Sequence, residues 1–221
     1  MEKQRYIYIL ISQTATKFGY VLRTIGRIRY NHAAIALDPQ LKEWYSFARK
    51  QYRTVLIGGI VKESIERYTL RKCAHVQVTI FRIPVTEEQY MRVTKQIMRI
   101  RQDQEYKYNL FSVLTYPITK GFSIYKAYSC IEFVMSMLES MGYKLRKPAP
   151  QYTPDELLQI FDKQIWFQGN LLDYKALDRR DDNYFAPMKW QQYIQSGLDL
   201  REVTRRSLYT LRQWCQARKW V

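Results

Sequence analysis

Residues 6–11 (YIYILI) are an unbroken apolar run, β-branched and aromatic, and predict a short buried strand. In residues 14–28, Phe18, Val21, Leu22 and Ile25 recur at i, i+3, i+4 and i+7, a helical stripe. Lys17, Arg23 and Arg27 fall on the other faces and read as a solvated basic surface. Two apolar runs, 32–38 (HAAIALD) and 42–47 (KEWYSF), flank a DPQL turn in which Pro39 suits the first central position, so an antiparallel hairpin is expected. Residues 48–59 are less regular and end in Gly58-Gly59, which reads as a loop. Residues 73–83 alternate, with Ala74, Val76, Val78 and Ile80 on one face and Cys73, His75, Gln77 and Thr79 on the other, the mark of a half-buried strand. Thr86 and Gln89 form a capping box that opens a helix running to Arg101.

The second half is less uniform. Residues 106–127 are rich in tyrosine and irregular, and residues 129–142 predict a helix closed by Gly142 as C-terminal cap. KPAP at 147–150 breaks the chain and marks the boundary between a first domain, 1–147, and a helical C-terminal extension, 148–221. Thr153-Pro154-Asp155-Glu156 combines cap, N1 proline and capping-box glutamate, and so starts a helix. Leu200, Val203, Leu208, Leu211 and Trp214 or Cys215 line one face of a further helix over 198–216. Strands and helices mixed, followed by a helical tail, predict an α+β fold.

With 47% hydrophobic residues in 221, the chain can build a real core, which excludes disorder and collagen-like sequence. The net charge of +16 favours an anionic partner: nucleic acid, an acidic membrane surface or an acidic polymer. That charge is uneven. Residues 1–150 hold 25 Lys/Arg against 11 Asp/Glu, whereas 151–221 hold 11 against 9, so the anion-attracting surface lies on the first part. Cys73, Cys130 and Cys215 are too sparse for a disulfide framework and have no metal-ligand spacing; neither metal nor cofactor is implied. The apolar run near the N-terminus is too short for a signal-peptide core or a membrane span, and the expected location is a reducing cytoplasm.

Among these residues Cys130 has the most chemical promise. Ser129 and Glu132 form a capping box, which makes Ser129 the N-cap and Cys130 the first helical residue. A thiol there meets unpaired backbone N–H groups and the positive end of the helix dipole, and both favour thiolate. The plainer alternative is a small buried residue, as most free cysteines are. A thiolate nucleophile needs a base, and the chain has only His32 and His75. His75 lies on the less apolar face of its strand and reads as a surface or interface histidine. His32 opens HAAIALD, where neighbouring alanines leave room beside the ring.

The order NHAAIALD, KEWYSFARK, Gly-Gly, AYSCIEFV resembles the circularly permuted papain-like fold of the YiiX-like branch of NlpC-type cysteine peptidases and amidases, and of the lecithin–retinol acyltransferase group. The resemblance spans residues 6–145 and implies an antiparallel sheet packed on the helix that bears the nucleophile. It further implies Cys130 as nucleophile and His32 as its base, in reverse chain order relative to papain. The family's third position is a polar residue on the strand after the histidine. A strict two-residue turn would set Phe47 opposite His32, whereas one residue of bulge sets Ser46 there; Phe cannot orient an imidazole, so Ser46 is the choice. Glu63, after the Gly-Gly segment, could orient His32 or bind substrate, but reads more simply as a solvated loop carboxylate.

The implied chemistry is acyl transfer from an amide or ester through Cys130 and His32. The Cys130 N–H and a tyrosine such as Tyr108 or Tyr128 would serve the oxyanion or the substrate. Peptide, cell-wall or lipid-linked acyl substrates are candidates, and the basic first domain favours an acidic one. A competing class is a non-catalytic basic module that binds nucleic acid or an acidic surface on the same fold, since Lys/Arg can neutralise phosphates and aromatic rings can stack on bases. Against it, no nucleic-acid motif is present and the basic residues are spread.

Overall fold

The first apolar run is continuous because both of its faces are covered. In strand β1 (Arg5–Ser12), Ile7, Ile9 and Ile11 enter one core layer while Tyr8 and Leu10 enter the other. The computed structural model describes residues 4–72, 75–177 and 180–218. Cys73 and Ala74 of the expected alternating strand lie outside the described residues, as do the side chains of Phe18, Leu211, Trp214 and Cys215.

Helix α1 (Lys17–Gly26) is capped by Thr16, whose Oγ1 accepts from the Gly19 N–H. Strands β2 (His32–Ala36), β3 (Trp44–Gln51) and β4 (Thr54–Lys62) follow, then helix α2 (Ile65–Thr69). Strand β5 (Gln77–Val85) leads into helix α3 (Glu87–Gln102) through the expected Thr86/Gln89 capping box. The tyrosine-rich stretch holds two-residue strands β6 (Lys107–Tyr108) and β7 (Ala127–Tyr128), with short helices α4 (Leu110–Leu114) and α5 (Tyr116–Thr119) between them. Helix α6 (Cys130–Ser140) ends near Gly142, whose positive φ of 93° suits glycine.

From KPAP onward the chain makes 3₁₀ turns at Ala149–Gln151 and Pro154–Glu156, then α7 (Leu157–Ile160), β8 (Ile165–Asn170), α8 (Leu171–Tyr174), α9 (Asp182–Phe185) and α10 (Trp190–Arg218).

The fold is α+β, built on a six-stranded sheet in the order β4-β3-β2-β1-β5-β8 with every neighbouring pair antiparallel. Helices α3 and α6 pack on one face against Ile9, Ile35, Phe47 and Phe81. Residues of α2 and α8 cover the other face, with Trp44, Ile80 and Leu171 at its centre.

Three expectations change. Residues 48–59 are not a loop, because β3 and β4 pair across them as a hairpin and Gly58-Gly59 lies inside β4. The glycines are there because another strand crosses closely: a Cβ at Gly58 would sit 2.4 Å from the Cβ of Tyr108. The strand expected at 73–83 is placed as β5, and it is buried on both faces, with Phe81 and Ile83 in one core and Val78 and Ile80 in the other. The C-terminal stretch is not wholly helical, since β8 adds an edge strand beside β5.

Candidate active site

Cys130 owes its position to the start of α6. The Ser129 Oγ accepts from the Glu132 N–H at 3.2 Å, and the Glu132 carboxylate accepts from the Ser129 N–H at 3.2 Å. This reciprocal cap fixes Cys130 as the first helical residue, where backbone N–H groups have no partner within the helix. The N–H groups of Ile131 and Ala33 reach its sulfur.

His32 is the first residue of β2, opposite Ser12 of β1, and α6 packs across that strand. This crossing brings the thiol and imidazole together: each is within hydrogen-bonding reach of the other. The His32 Nε2–H donates to Glu63 Oε1 at 3.1 Å, which leaves Nδ1 for the sulfur.

Glu63 follows the last residue of β4, and its own N–H donates to the Trp44 carbonyl at 2.8 Å. Its side chain is nearly all buried, at 3% exposure, so its partners decide its charge. Ser46 Oγ donates to Oε1, alongside His32. Arg67 Nε donates to Oε2 at 2.9 Å, one helical turn along in α2. The guanidinium is held in turn: Nη2 donates to the Arg49 carbonyl at 2.7 Å, and the Tyr184 ring of α9 stacks over it at 3.9 Å. Tyr184 itself is tied down by Arg49 Nε, which donates to its hydroxyl at 2.9 Å.

The electrostatics follow from this chain of contacts. Burial opposes charge on all three groups, and the contacts overcome it. Burial would lower the His32 pKa, but hydrogen bonding to Cys130 and Glu63, and their negative charge, raise it to about 9. Burial would raise Glu63, yet the Arg67 charge, His32 and Ser46 hold it down to about 2. Burial would likewise raise Cys130, but His32 and the two backbone N–H groups hold it below the ordinary thiol value. The contacts thus favour the imidazolium and the ionised carboxylate, and push Cys130 toward thiolate against its burial.

Cys130, His32, Glu63 and Ser46 are thus brought into one cluster, but Ser46 does not occupy the expected place. The hairpin pairs Ile35 with Tyr45 and Ala36 with Trp44, a register that puts neither Phe47 nor Ser46 across from His32. The predicted Pro39 turn is present, with the Leu41 N–H donating to the Asp38 carbonyl, but it sits inside a longer loop, 37–43, and this moves the register. Ser46 supports Glu63, and Glu63, read from sequence as a solvated carboxylate, is the group on the imidazole. Arg67 and Tyr184 went unrecognised. The Glu63/Arg67 spacing of four was a usable signal for a paired carboxylate; Tyr184 offered none.

Tyr108 and Tyr128 part company. Tyr108 lines the cleft beside Cys130, whose negative charge, added to burial, raises its hydroxyl pKa. Tyr128 packs edge-on against Phe47 and stacks on Tyr106, away from both clefts. His75 is exposed and distant in role from this cluster.

Two clefts meet at the pair. One, about 90 Å³, lies on the His32 side and is lined by Glu63, Arg67, Tyr68 and Tyr184. The other, about 130 Å³, leads to Cys130 between α1, the α4–α5 segment and the turns at 150–154. Among the described residues no group of three or more His, Cys, Asp or Glu could hold a metal ion, and no helix is long and apolar enough to cross a membrane. No family model, curated protein or solved structure matches the chain.

Proposed function

We propose that this protein is a permuted papain-like cysteine hydrolase or acyltransferase. One observation carries the reading: a helix-capped thiol and an imidazole held by a buried carboxylate meet at one spot that opens to a cleft. The chain order, histidine at a strand start and cysteine later at a helix start, supports the permuted arrangement.

In this mechanism the Cys130 thiolate attacks an amide or ester carbonyl, forming the S–C bond and placing negative charge on the carbonyl oxygen. The Cys130 N–H and the Tyr108 hydroxyl are the donors for that charge. As the C–N or C–O bond breaks, His32 gives its proton to the departing nitrogen or oxygen. Water then attacks the thioester, His32 takes the water proton, and the S–C bond breaks to release the acid and regenerate the thiolate. An amine or alcohol in place of water completes a transfer. Glu63 keeps His32 oriented and charged, and Ser46 and Arg67 position Glu63.

Alkylation tests the reading. Cys130 should react with iodoacetamide far faster than Cys73 or Cys215 at mildly acidic pH, by mass spectrometry of each peptide, and His32→Ala should slow it. Equal rates at the three cysteines would leave the proposed chemistry without a nucleophile.

A further inference from the structure

An open sheet has two edges, and this chain treats them differently. At one end of the sheet, β6 and α10 pack on β4. At the other end β8 is bare on its outer side among the described residues. In β5 the Gln77 carbonyl accepts from the Gln13 N–H on the β1 side, and the Val76 carbonyl accepts from the Leu171 N–H on the β8 side. Backbone groups alternate in direction along an antiparallel strand, so Val78 and Ile80 face β8 and bond Gly169 and Phe167. Gln168 lies between these two. Its N–H and C=O therefore point away from the sheet, with no backbone partner among the described residues.

Edge strands are usually guarded by charged side chains, by proline or by a covering element. β8 (IWFQGN) has neither charge nor proline, and Ile165 and Trp166 are 42% and 49% exposed. Its one irregularity, where the register skips Trp166, lies near one end and leaves 167–170 regular. The surrounding charge is also unusual for this chain. Residues 160–176 hold two lysines and two aspartates, so two molecules of net charge +16 could meet here without local repulsion.

The strand fits itself. Antiparallel pairing of two copies about Gln168 lets each Gln168 exchange its N–H and C=O with the other. Phe167 of each copy then falls opposite Gly169 of the other, where no side chain competes for room. The same register turns the flank that holds Lys163 toward the flank that holds Asp173 of the second copy, and both side chains are exposed. We infer that β8 pairs with β8 of a second copy of this chain, joining the two six-stranded sheets across a two-fold axis.

Sedimentation of the full chain tests this. The wild type should run as a dimer at about 100 μM and dissociate on dilution. Gln168→Pro removes the outward N–H and a side-chain bond to Thr79, a change an edge strand tolerates, and should weaken the dimer at least tenfold with native circular dichroism. Gln168→Ala loses the same side-chain bond but keeps the N–H, and should stay dimeric. Lys163→Asp alone, or Asp173→Lys alone, sets like charges together at both ends of the join and should weaken it. Mixing those two variants restores opposite charges at both ends and should bring back a dimer containing one of each. A monomer at every concentration overturns the proposal. So does a dimer indifferent to Gln168→Pro, which would place the interface elsewhere, and so does a mixture of the charge variants that associates no better than either alone.

Discussion

At His32 two opposing effects decide the chemistry: burial disfavours the imidazolium, and the thiolate and Glu63 favour it and win. Because the charged form is the one held, the His32 imidazolium is kept at neutral pH and is lost as pH rises through about 9. Alkylation of Cys130 against pH should therefore reach a plateau that begins below the ordinary thiol value, and single-turnover acylation should fall on the alkaline side near 9. Glu63→Gln removes the imidazole's carboxylate and leaves the buried Arg67 with Asp181, 3.8 Å away, as its remaining charge partner. It should shift the alkaline limb to lower pH and cost about 3–5 kcal/mol in urea unfolding, the range for breaking a buried pair. Ser46→Ala removes one hydrogen bond of several and should cost about 1 kcal/mol, with the alkaline limb kept. Glu132, behind the cysteine, is raised by burial to about 7 against hydrogen bonds from Ser123, Ser129 and Asn109. Its proton is retained by the folded chain at pH values where the unfolded chain has lost it, so stability should decline as pH rises from about 4.5 to about 7. Glu132→Gln should flatten that decline in pH-dependent melting. The Ser129/Glu132 cap was legible from local spacing alone because every contact in it lies within one helical turn. The His32–Glu63 contact was not, since it joins residues 31 apart through the registers of two hairpins.

Between elements, glycine spacing sets how closely strands approach. β6 crosses β4 where Gly58 lacks a side chain, and this places Tyr108 against the cleft. In Gly58→Ala the new Cβ would overlap the Tyr108 Cβ, and relief requires β6 to move. About 1–3 kcal/mol of destabilisation is expected, the range for overpacking, together with slower Cys130 acylation. A melting temperature and acylation rate equal to wild type would refute this. Sequence punctuation misled here, because a Gly-Gly pair marks a turn or a close crossing equally well and only the partner strand distinguishes them. Helix α1 shows the same limit. Its apolar stripe was legible by period, but Val21 and Ile25 line a cleft open to solvent rather than fill the core.

Across the whole molecule, the segment beyond KPAP is part of the site's framework: β8 extends the sheet and Tyr184 covers Arg67. Tyr184→Ala should admit water to the Glu63–Arg67 pair, lower the alkaline limb of the alkylation profile and cost about 2 kcal/mol, whereas Tyr184→Phe keeps the ring and should stay close to wild type. A Tyr184→Ala profile matching wild type would show that the extension does not support the imidazole. By itself the sequence determined the local matters: the strand and helix periods, the caps of α3 and α6, the uneven positive charge and the two chemically capable residues, Cys130 and His32. These rest on neighbours a few positions apart, whose geometry a helix or strand dictates in advance. Only the tertiary structure decided that Glu63 rather than Ser46 meets the imidazole, that Arg67 and Tyr184 stand behind it, and that an apolar cleft opens at the sulfur. Those depend on strand register and on long-range packing, where a shift of one residue changes which side chain points where.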